Sequence, residues 1–239
     1  MKVLITGSGR RLGRHLAIGF AKKGWDVCVH YNESEEEAHR TIELISQFDN
    51  NYYLIKSDVR NREELEKSFQ NCFDDFGVPN VLINNSGVFP PETSLENVTD
   101  EMWNSTQEIN TRAAFYASRF YSSHAKEGDR IINIASLGGQ EIWKERIPYN
   151  VSKAALLQLT MALARELGPK ISVNSVSPGM IIIPDEPAED GSKAPLDKIP
   201  MGRYGAPEDL FDAVYFFATC SHYITGQNLN VDGGYHVSR

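Results

Sequence analysis

Val3-Leu4-Ile5-Thr6-Gly7-Ser8-Gly9-Arg10-Arg11-Leu12-Gly13 is the stretch on which the reading of the fold turns. A short aliphatic run suited to a buried strand passes into a turn with three glycines, and a helical pattern comes next. Glycines there let the backbone turn tightly and approach an anionic group. The N–H groups and dipole of the next helix would favour that negative charge. A lone turn of this kind can merely join a strand to a helix. Its weight comes from the elements downstream.

Outward from the turn, short β-branched runs alternate with longer amphipathic segments. With the first at 2–6, strands are expected at 26–31, 51–56, 80–84, 129–135, 170–176 and 228–231. Helices are expected at 11–23, 34–48, 61–76, 99–125, 149–167 and 207–220. Strand–helix alternation at this spacing argues for a parallel sheet built from βαβ crossovers. Val81-Leu82-Ile83 and Ile131-Ile132-Asn133-Ile134 are apolar at nearly every position, as burial on both sheet faces demands. The expected architecture is therefore one doubly wound α/β domain over 1–239, with a central parallel sheet of seven strands and helices on both faces. No repeat, low-complexity tract or linker divides it. One stretch breaks the rhythm: 184–200 carries Pro184, Pro187, Pro195 and Pro200. Proline at that density forbids a continuous helix, and a long irregular segment in a compact domain is commonly a lid.

Composition narrows the function classes. The chain has 239 residues, 41% hydrophobic and 23% charged, with no apolar run near the roughly 18 residues of a membrane span. Its 24 basic and 32 acidic residues leave a net charge of −8, which argues against a nucleic-acid partner, since phosphate-backbone affinity rests on clustered cations. Cys28, Cys72 and Cys220 are odd in number and form no Cys-x-x-Cys spacing. Neither a metal site nor a disulfide framework is expected, and a reducing compartment fits. The first apolar run is too short for a secretory segment, so a cytoplasmic protein is expected.

Tyr149-Asn150-Val151-Ser152-Lys153 sets a phenol and an ammonium four residues apart, on one face of a helix. Ser136 lies thirteen residues upstream of Tyr149, just past the run at 131–134, and Asn110 sits in the preceding long helix. Ser, Tyr, Lys and Asn at these places resemble the catalytic tetrad of the short-chain dehydrogenases/reductases. Thr6-Gly7-x-x-x-Arg11-x-Gly13 is similar to that family's TGxxxGxG turn, with Arg11 where the middle glycine is usual. Asn84-Asn85-Ser86-Gly87 resembles its Asn-Asn-Ala-Gly, beside the nicotinamide ribose. Ser57-Asp58-Val59 matches the Asp that contacts the adenine amino group, and Ser177-Pro178-Gly179 the Pro-Gly turn next to the nicotinamide. Ile224-Thr225-Gly226-Gln227, with Val231-Asp232-Gly233-Gly234, looks like the family's C-terminal strand and its flanking turns. Each match alone is ordinary turn chemistry. Their common order and spacing make the resemblance.

The resemblance implies a Rossmann-type, NAD(P)-dependent oxidoreductase with Asn110, Ser136, Tyr149 and Lys153 as its catalytic residues. Gly7, Arg10, Arg11, Leu12, Gly13, Asn32, Ser34, Asp58, Val59, Asn85, Gly87, Pro178 and Gly179 would join Tyr149 and Lys153 in holding the cofactor. Hydride transfer to a ketone builds negative charge on oxygen, which a proton from Tyr149 would meet. A free phenol titrates near 10, so work at neutrality needs a shift of roughly 3 units, about 4 kcal/mol of phenolate stabilisation. Lys153 and the positive nicotinamide of the oxidised cofactor would supply it. Ser136 would orient the substrate oxygen. By the same resemblance, Asn110 would hold a water that relays protons from Lys153.

Two places bear on the choice of cofactor. Arg10 and Arg11 set two cations against the dipole of the first helix, an arrangement favoured if an anion sits between them. At the end of the second strand, the place usual for a ribose-binding acid is Tyr31, followed by Asn32, Glu33 and Ser34. NADP(H) is therefore expected over NAD(H), although Glu33 would have to point away.

Further features bear on the substrate. Arg10-Arg11-Leu12-Gly13, His30-Tyr31-Asn32 and the run from Pro178 to Asp185 look like the pteridine-reductase branch. That branch usually has Asp where this chain has Ser136, and a Ser suits gripping a carbonyl oxygen. Small-molecule carbonyl or alcohol chemistry, as in a 3-oxoacyl reductase or a general ketoreductase, is thus placed ahead of pterin reduction. Ile183 stands where the family often has a Thr for the carboxamide. Phe89, Trp143, Met180 and Ile182 suggest an apolar or aromatic pocket wall. The acidic segment at 184–200 argues against docking an acidic carrier protein. A dinucleotide-sensing or scaffold protein without turnover is the alternative of another class. Because helix 149–167 is apolar nearly all round, a homo-oligomer, dimer or tetramer, is expected.

Overall fold

The computed structural model describes residues 1–184, 186 and 195–238. Seven strands form one parallel sheet: β1 (Lys2–Ile5), β2 (Asp26–Tyr31), β3 (Tyr52–Lys56), β4 (Val81–Asn84), β5 (Asp129–Ile134), β6 (Ile171–Pro178) and β7 (Asn228–Val231). Their spatial order is β3-β2-β1-β4-β5-β6-β7, with every neighbouring pair parallel. The helices are α1 (Arg11–Lys22), α2 (Glu35–Ile45), α3 (Arg62–Asp75), α4 (Asp100–Gln107), α5 (Ala113–His124), α6 (Ile147–Leu167) and α7 (Pro207–Thr219).

Strand side chains alternate between two cores. Val3, Ile5, Val27, Val29, Val81, Ile83 and Ile132 face α1 and α7, where they meet Leu16, Phe20, Leu210, Phe211 and Val214. Leu4, Cys28, Leu82 and Ile131 point the other way, to Leu65, Phe69 and Phe73 of α3, Tyr121 of α5 and Leu163 of α6. This is why the strands read as continuous apolar runs: period-two alternation is hidden when both faces are dry. Helices α1 and α7 touch closely because a β-carbon at Gly19 would lie 2.4 Å from the Phe211 ring.

The helix expected at 99–125 is broken. Between α4 and α5, residues Glu108–Arg112 form a π-helical turn. The extra residue is accommodated by side chains reaching across: Gln107 Nε2 donates to Pro148 O (2.9 Å), Thr111 Oγ1 to Ser152 O (2.8 Å) and Asn110 Nδ2 to Ser152 Oγ (2.9 Å). Widened turns of this kind are frequent at functional sites. Helix α6 starts two residues earlier than its pattern suggests, with Pro148 in its first turn, where proline loses no helical hydrogen bond. Its outer side is open in the single chain, with Val151 and Met161 exposed beside Phe115 of α5. The lid expected at 184–200 falls largely on 185 and 187–194, outside the described residues.

Candidate active site

The order of strands reverses between β1 and β4, and in such sheets a crevice opens at the carboxyl ends of the strands there. A cleft of about 500 Å³ lies at this place. Its walls come from the turn after β1 (Gly7, Gly9 to Gly13), the end of β2 (His30 to Ser34) and the turn after β3 (Asp58, Val59, Arg60). Asn85 to Phe89, Ile109, Ile134, Ala135, Tyr149, Lys153 and Pro178 complete it.

The glycine turn is held from both sides. On the β4 side, Asn85 Nδ2 donates to Thr6 O (2.9 Å) and Gly7 O (3.0 Å), while the amides of Asn85 and Ser86 both donate to Thr6 Oγ1 (3.0 Å each). Gly7 has φ +62°, and a β-carbon at Gly13 would sit 2.3 Å from Gly7 O. Both positions thus require glycine. Arg11 also has a positive φ, +53°, which explains why a glycine is usual there. The left-handed backbone costs an arginine about 1 kcal/mol or more. Arg11 Nη1 lies 3.7 Å and Arg14 Nη1 3.9 Å from the Glu186 carboxylate.

At the far end of the cleft, α6 carries Tyr149 and Lys153 on the same wall, with Lys153 Nζ 5.9 Å from the centroid of the Tyr149 ring. Lys153 is buried, its Nζ donates to Ile134 O at 2.9 Å, and desolvation lowers its pKa to about 8. A buried ammonium is costly unless it is used, and burial of this kind marks functional sites. Phe89 meets the Tyr149 ring edge-on (centroids 4.6 Å, 80°), and Trp143 lies nearly parallel to it at 6.0 Å. The guanidinium of Arg146 lies 4.2 Å from the Phe89 ring and also bonds Pro90 O.

Ser136 follows Ala135 of the wall in the chain and is buried, its Oγ accepting from Gly138 N at 3.1 Å. Asn110 is buried too. Its Oδ1 accepts from Val88 N (2.8 Å) and its Nδ2 donates to Val88 O (3.0 Å) as well as to Ser152. Both amide hydrogens and one lone pair are thereby taken, so what the Asn110 side chain does is anchor Val88 and the start of α6.

Comparison with known proteins decides the family. A model described as enoyl-(acyl carrier protein) reductase matches residues 7–236. The chain belongs to the short-chain dehydrogenase/reductase family. It is 31% identical to a 3-oxoacyl-[acyl-carrier-protein] reductase of Synechocystis, covering 97% of this chain and 95% of that one. A short-chain dehydrogenase/reductase from Serratia marcescens superimposes with TM-score 0.89 at 28% identity, over 98% of this chain and 97% of that one. A metagenomic blue fluorescent protein in complex with NADPH gives 0.90 at 29% identity, with the same coverage. The protein is accordingly an NAD(P)-dependent oxidoreductase.

The residues of this dehydrogenase/reductase fit a nicotinamide dinucleotide. The donor set runs from turn amides and arginines at one end to a buried ammonium at the other, and glycines give close backbone approach where an anion would lie. Of the residues read from sequence for the cofactor, all but Gly179 line the cleft. Gly179 packs behind it, its missing β-carbon 2.9 Å from Asp232 Cβ. The Asp58 carboxylate, expected to face the adenine, is gripped by Arg60 Nε (2.9 and 3.0 Å) and Nη2 (2.6 Å), which lowers its pKa. Glu33 is on the wall and exposed. Arg60 and His30 were not singled out from sequence. Arg60 could have been found as a cation two residues past Asp58, whereas His30 figures in the sequence only within His30-Tyr31-Asn32, with no role of its own signalled. Ile183 is buried away from the cleft wall. Among the described residues, no group of three His, Cys, Asp or Glu is placed to hold a metal, and no helix is long and apolar enough to cross a membrane.

Proposed function

We propose that this protein reduces the carbonyl group of a small apolar or aromatic molecule, with NADPH preferred over NADH. One relationship carries the reading: a phenol and a buried ammonium one helical turn apart, on the wall of a cleft whose other end is a glycine turn flanked by arginines. The cofactor's part, when bound, is to supply or accept a hydride at the carbonyl carbon. Tyr149 donates its proton to the carbonyl oxygen as charge grows there. Lys153, steadied by Ile134 O, favours the phenolate left behind. Ser136 orients the substrate oxygen, and Asn110 fixes Val88 and α6 so that these groups stay in register. Phe89 and Trp143, packed against Tyr149, favour a flat apolar substituent beside the reacting carbonyl.

The preference for NADP(H) is supported by Arg10 and Arg11 and by Tyr31 at the end of β2 in place of an acid. Similarity to the NADPH-bound fluorescent protein supports that cofactor, and similarity to the Synechocystis 3-oxoacyl reductase supports carbonyl reduction. We read residues 1–239 as one domain, with 184–200 as a lid whose Glu186 reaches Arg11 and Arg14. The open side of α5 and α6, with Phe115, Val151 and Met161 exposed, supports a homo-oligomer. Free Cys28 and Cys72, with sulfurs 3.3 Å apart, support work in the reducing cytoplasm. The test is NADPH oxidation against a panel of ketones, with Tyr149→Phe as control and NADH as competitor. Ketone-dependent turnover lost in Tyr149→Phe supports the proposal. Binding without turnover of any member points to a dinucleotide sensor, and preferential turnover of a dihydropterin to the pteridine-reductase reading.

A further inference from the structure

His30 lies at the end of β2, 1% exposed, and takes no part in the proton transfer described above. Four hydrogen bonds run from it. The Gly7 amide donates to its Nδ1 (3.1 Å), the Ser8 amide donates to its carbonyl (2.9 Å), and its own amide donates to Ser8 Oγ (3.1 Å). Its Nε2 meets Ser57 Oγ at 3.0 Å. The direction of this chain is settled by its ends. An amide can only donate, so Nδ1 must be an unprotonated acceptor, and Nε2 carries the hydrogen. Ser57 then accepts from Nε2 and donates to Ser68 Oγ (2.9 Å), which donates to Leu65 O (2.8 Å). Only the neutral imidazole, in one tautomer, satisfies every member.

The two anchored segments are the two lips of the adenosine end. Gly7 belongs to the turn after β1, and Ser57 immediately precedes Asp58 and Val59, which line the cleft with Arg60. We propose that His30 is a positioning residue for the nucleotide cleft, its neutral imidazole holding the glycine turn by one nitrogen and the β3 end by the other. The proposal rests on the reading that the cleft takes a nicotinamide dinucleotide. The Gly7 amide, tied to Nδ1, is turned away from any anion and serves to orient the rest of the turn. Gly7 has φ +62°, and a β-carbon there would come within 2.9 Å of Ser86 Oγ, so Gly7 itself has no side chain to hold its place and depends on its neighbours.

Two amide substitutions separate the two anchors. The Oδ1 of His30→Asn reaches about where Nδ1 stands and keeps an acceptor for Gly7. The amide of His30→Gln reaches about where Nε2 stands and keeps Ser57 only. With NADPH as the probe, His30→Gln should weaken the Kd, and raise the KM for NADPH, about tenfold, as loss of one buried hydrogen bond would. Its kcat at saturating NADPH should stay within about threefold, and His30→Asn should bind within about threefold of wild type. Hydrogen exchange of the unliganded protein gives a second readout: the segment 4–14 exchanges faster in His30→Gln, and in His30→Asn only by the smaller factor expected of losing Ser57. Ser57→Ala, a milder change, should move the Kd and the exchange in the same direction by a smaller factor. Wild-type binding and exchange in both His30→Gln and Ser57→Ala overturn the proposal, as does His30→Asn behaving like His30→Gln, or a fall in kcat with KM unchanged. Failure of the wild type to bind NADPH or NADH overturns the reading of the cleft itself, and with it this role.

Discussion

The Nζ of Lys153 stands 5.9 Å from the centroid of the Tyr149 ring and bonds the main-chain carbonyl of Ile134 at 2.9 Å. The cation is therefore fixed to the sheet and presented to the phenol, and it cannot swing into solvent. Its burial has a cost, which the first prediction measures.

Desolvation brings the Lys153 pKa from 10.5 to about 8, so at neutral pH the folded protein carries a penalty of about 3 kcal/mol for keeping the ammonium charged. Because the folded pKa lies below the unfolded one, stability should rise as pH climbs from about 8 towards 10.5 and fall back below it. Lys153→Met should abolish turnover while leaving the Tm equal to wild type or higher, the lost bond to Ile134 O offsetting part of the gain. Calorimetry beside a steady-state assay checks it. A clear drop in Tm would contradict the account.

Tyr149→Phe removes the proposed proton donor and keeps the ring packed between Phe89 and Trp143. Turnover of any ketone substrate should drop by about 10²- to 10⁴-fold. The Kd for NADPH, read from fluorescence quenching, should hardly change.

Arg10→Ala should weaken NADPH about tenfold and leave NADH nearly untouched, since a charge-assisted bond to phosphate is worth about 1.5–3 kcal/mol. Arg11→Gly should likewise cost NADPH affinity, yet keep the Tm close to wild type. Glycine relieves the backbone strain at φ +53° while adding unfolded-state entropy of similar size. Equal losses for the two nucleotides in Arg10→Ala would remove that residue from any 2′-phosphate site.

Gly13→Ala places a β-carbon 2.3 Å from Gly7 O and 2.7 Å from Ser8 Cα, both main-chain atoms that cannot step aside. A destabilisation of about 1–3 kcal/mol is expected, with loss of nucleotide binding, from a denaturant titration and a binding isotherm.

His30, fully buried, has its pKa lowered by desolvation to about 4. The depressed value means that stability is fully present above about 6.5 and is lost as pH falls towards 4, by about 3 kcal/mol in all. Unfolding midpoints between pH 7 and 4 should show this slope in the wild type and lack its share in His30→Asn.

Much of this molecule is legible from residue order. Seven strands, six of the helical segments and the cleft's glycine turn follow from local periodicity and turn residues, which act over a few positions. Tyr149 and Lys153 share a face because four residues make about one turn. The break at Glu108–Arg112 was not legible, since it depends on Asn110 and Thr111 reaching Ser152 from another helix. Arg60 stands only two residues from Asp58, but that it takes up both carboxylate oxygens, so that an expected ligand contact is met first by the chain's own cation, is seen only in the fold. The apolar girth of α6 points to a homo-oligomer, and how much of its outer side one chain leaves bare is seen only in the fold.

From the sequence by itself came the doubly wound sheet, the place of the cleft and the identity of the phenol and ammonium, because each is written in spacings shorter than one element. Only the folded chain decided that Lys153 is stripped of water, that Asn110 spends its amide on Val88, and that the imidazole of His30 must be neutral. Those facts depend on groups far apart in sequence, 23 positions for Gly7 and His30 and 22 for Val88 and Asn110. Burial, which fixes charge and tautomer, exists only after packing has expelled the solvent.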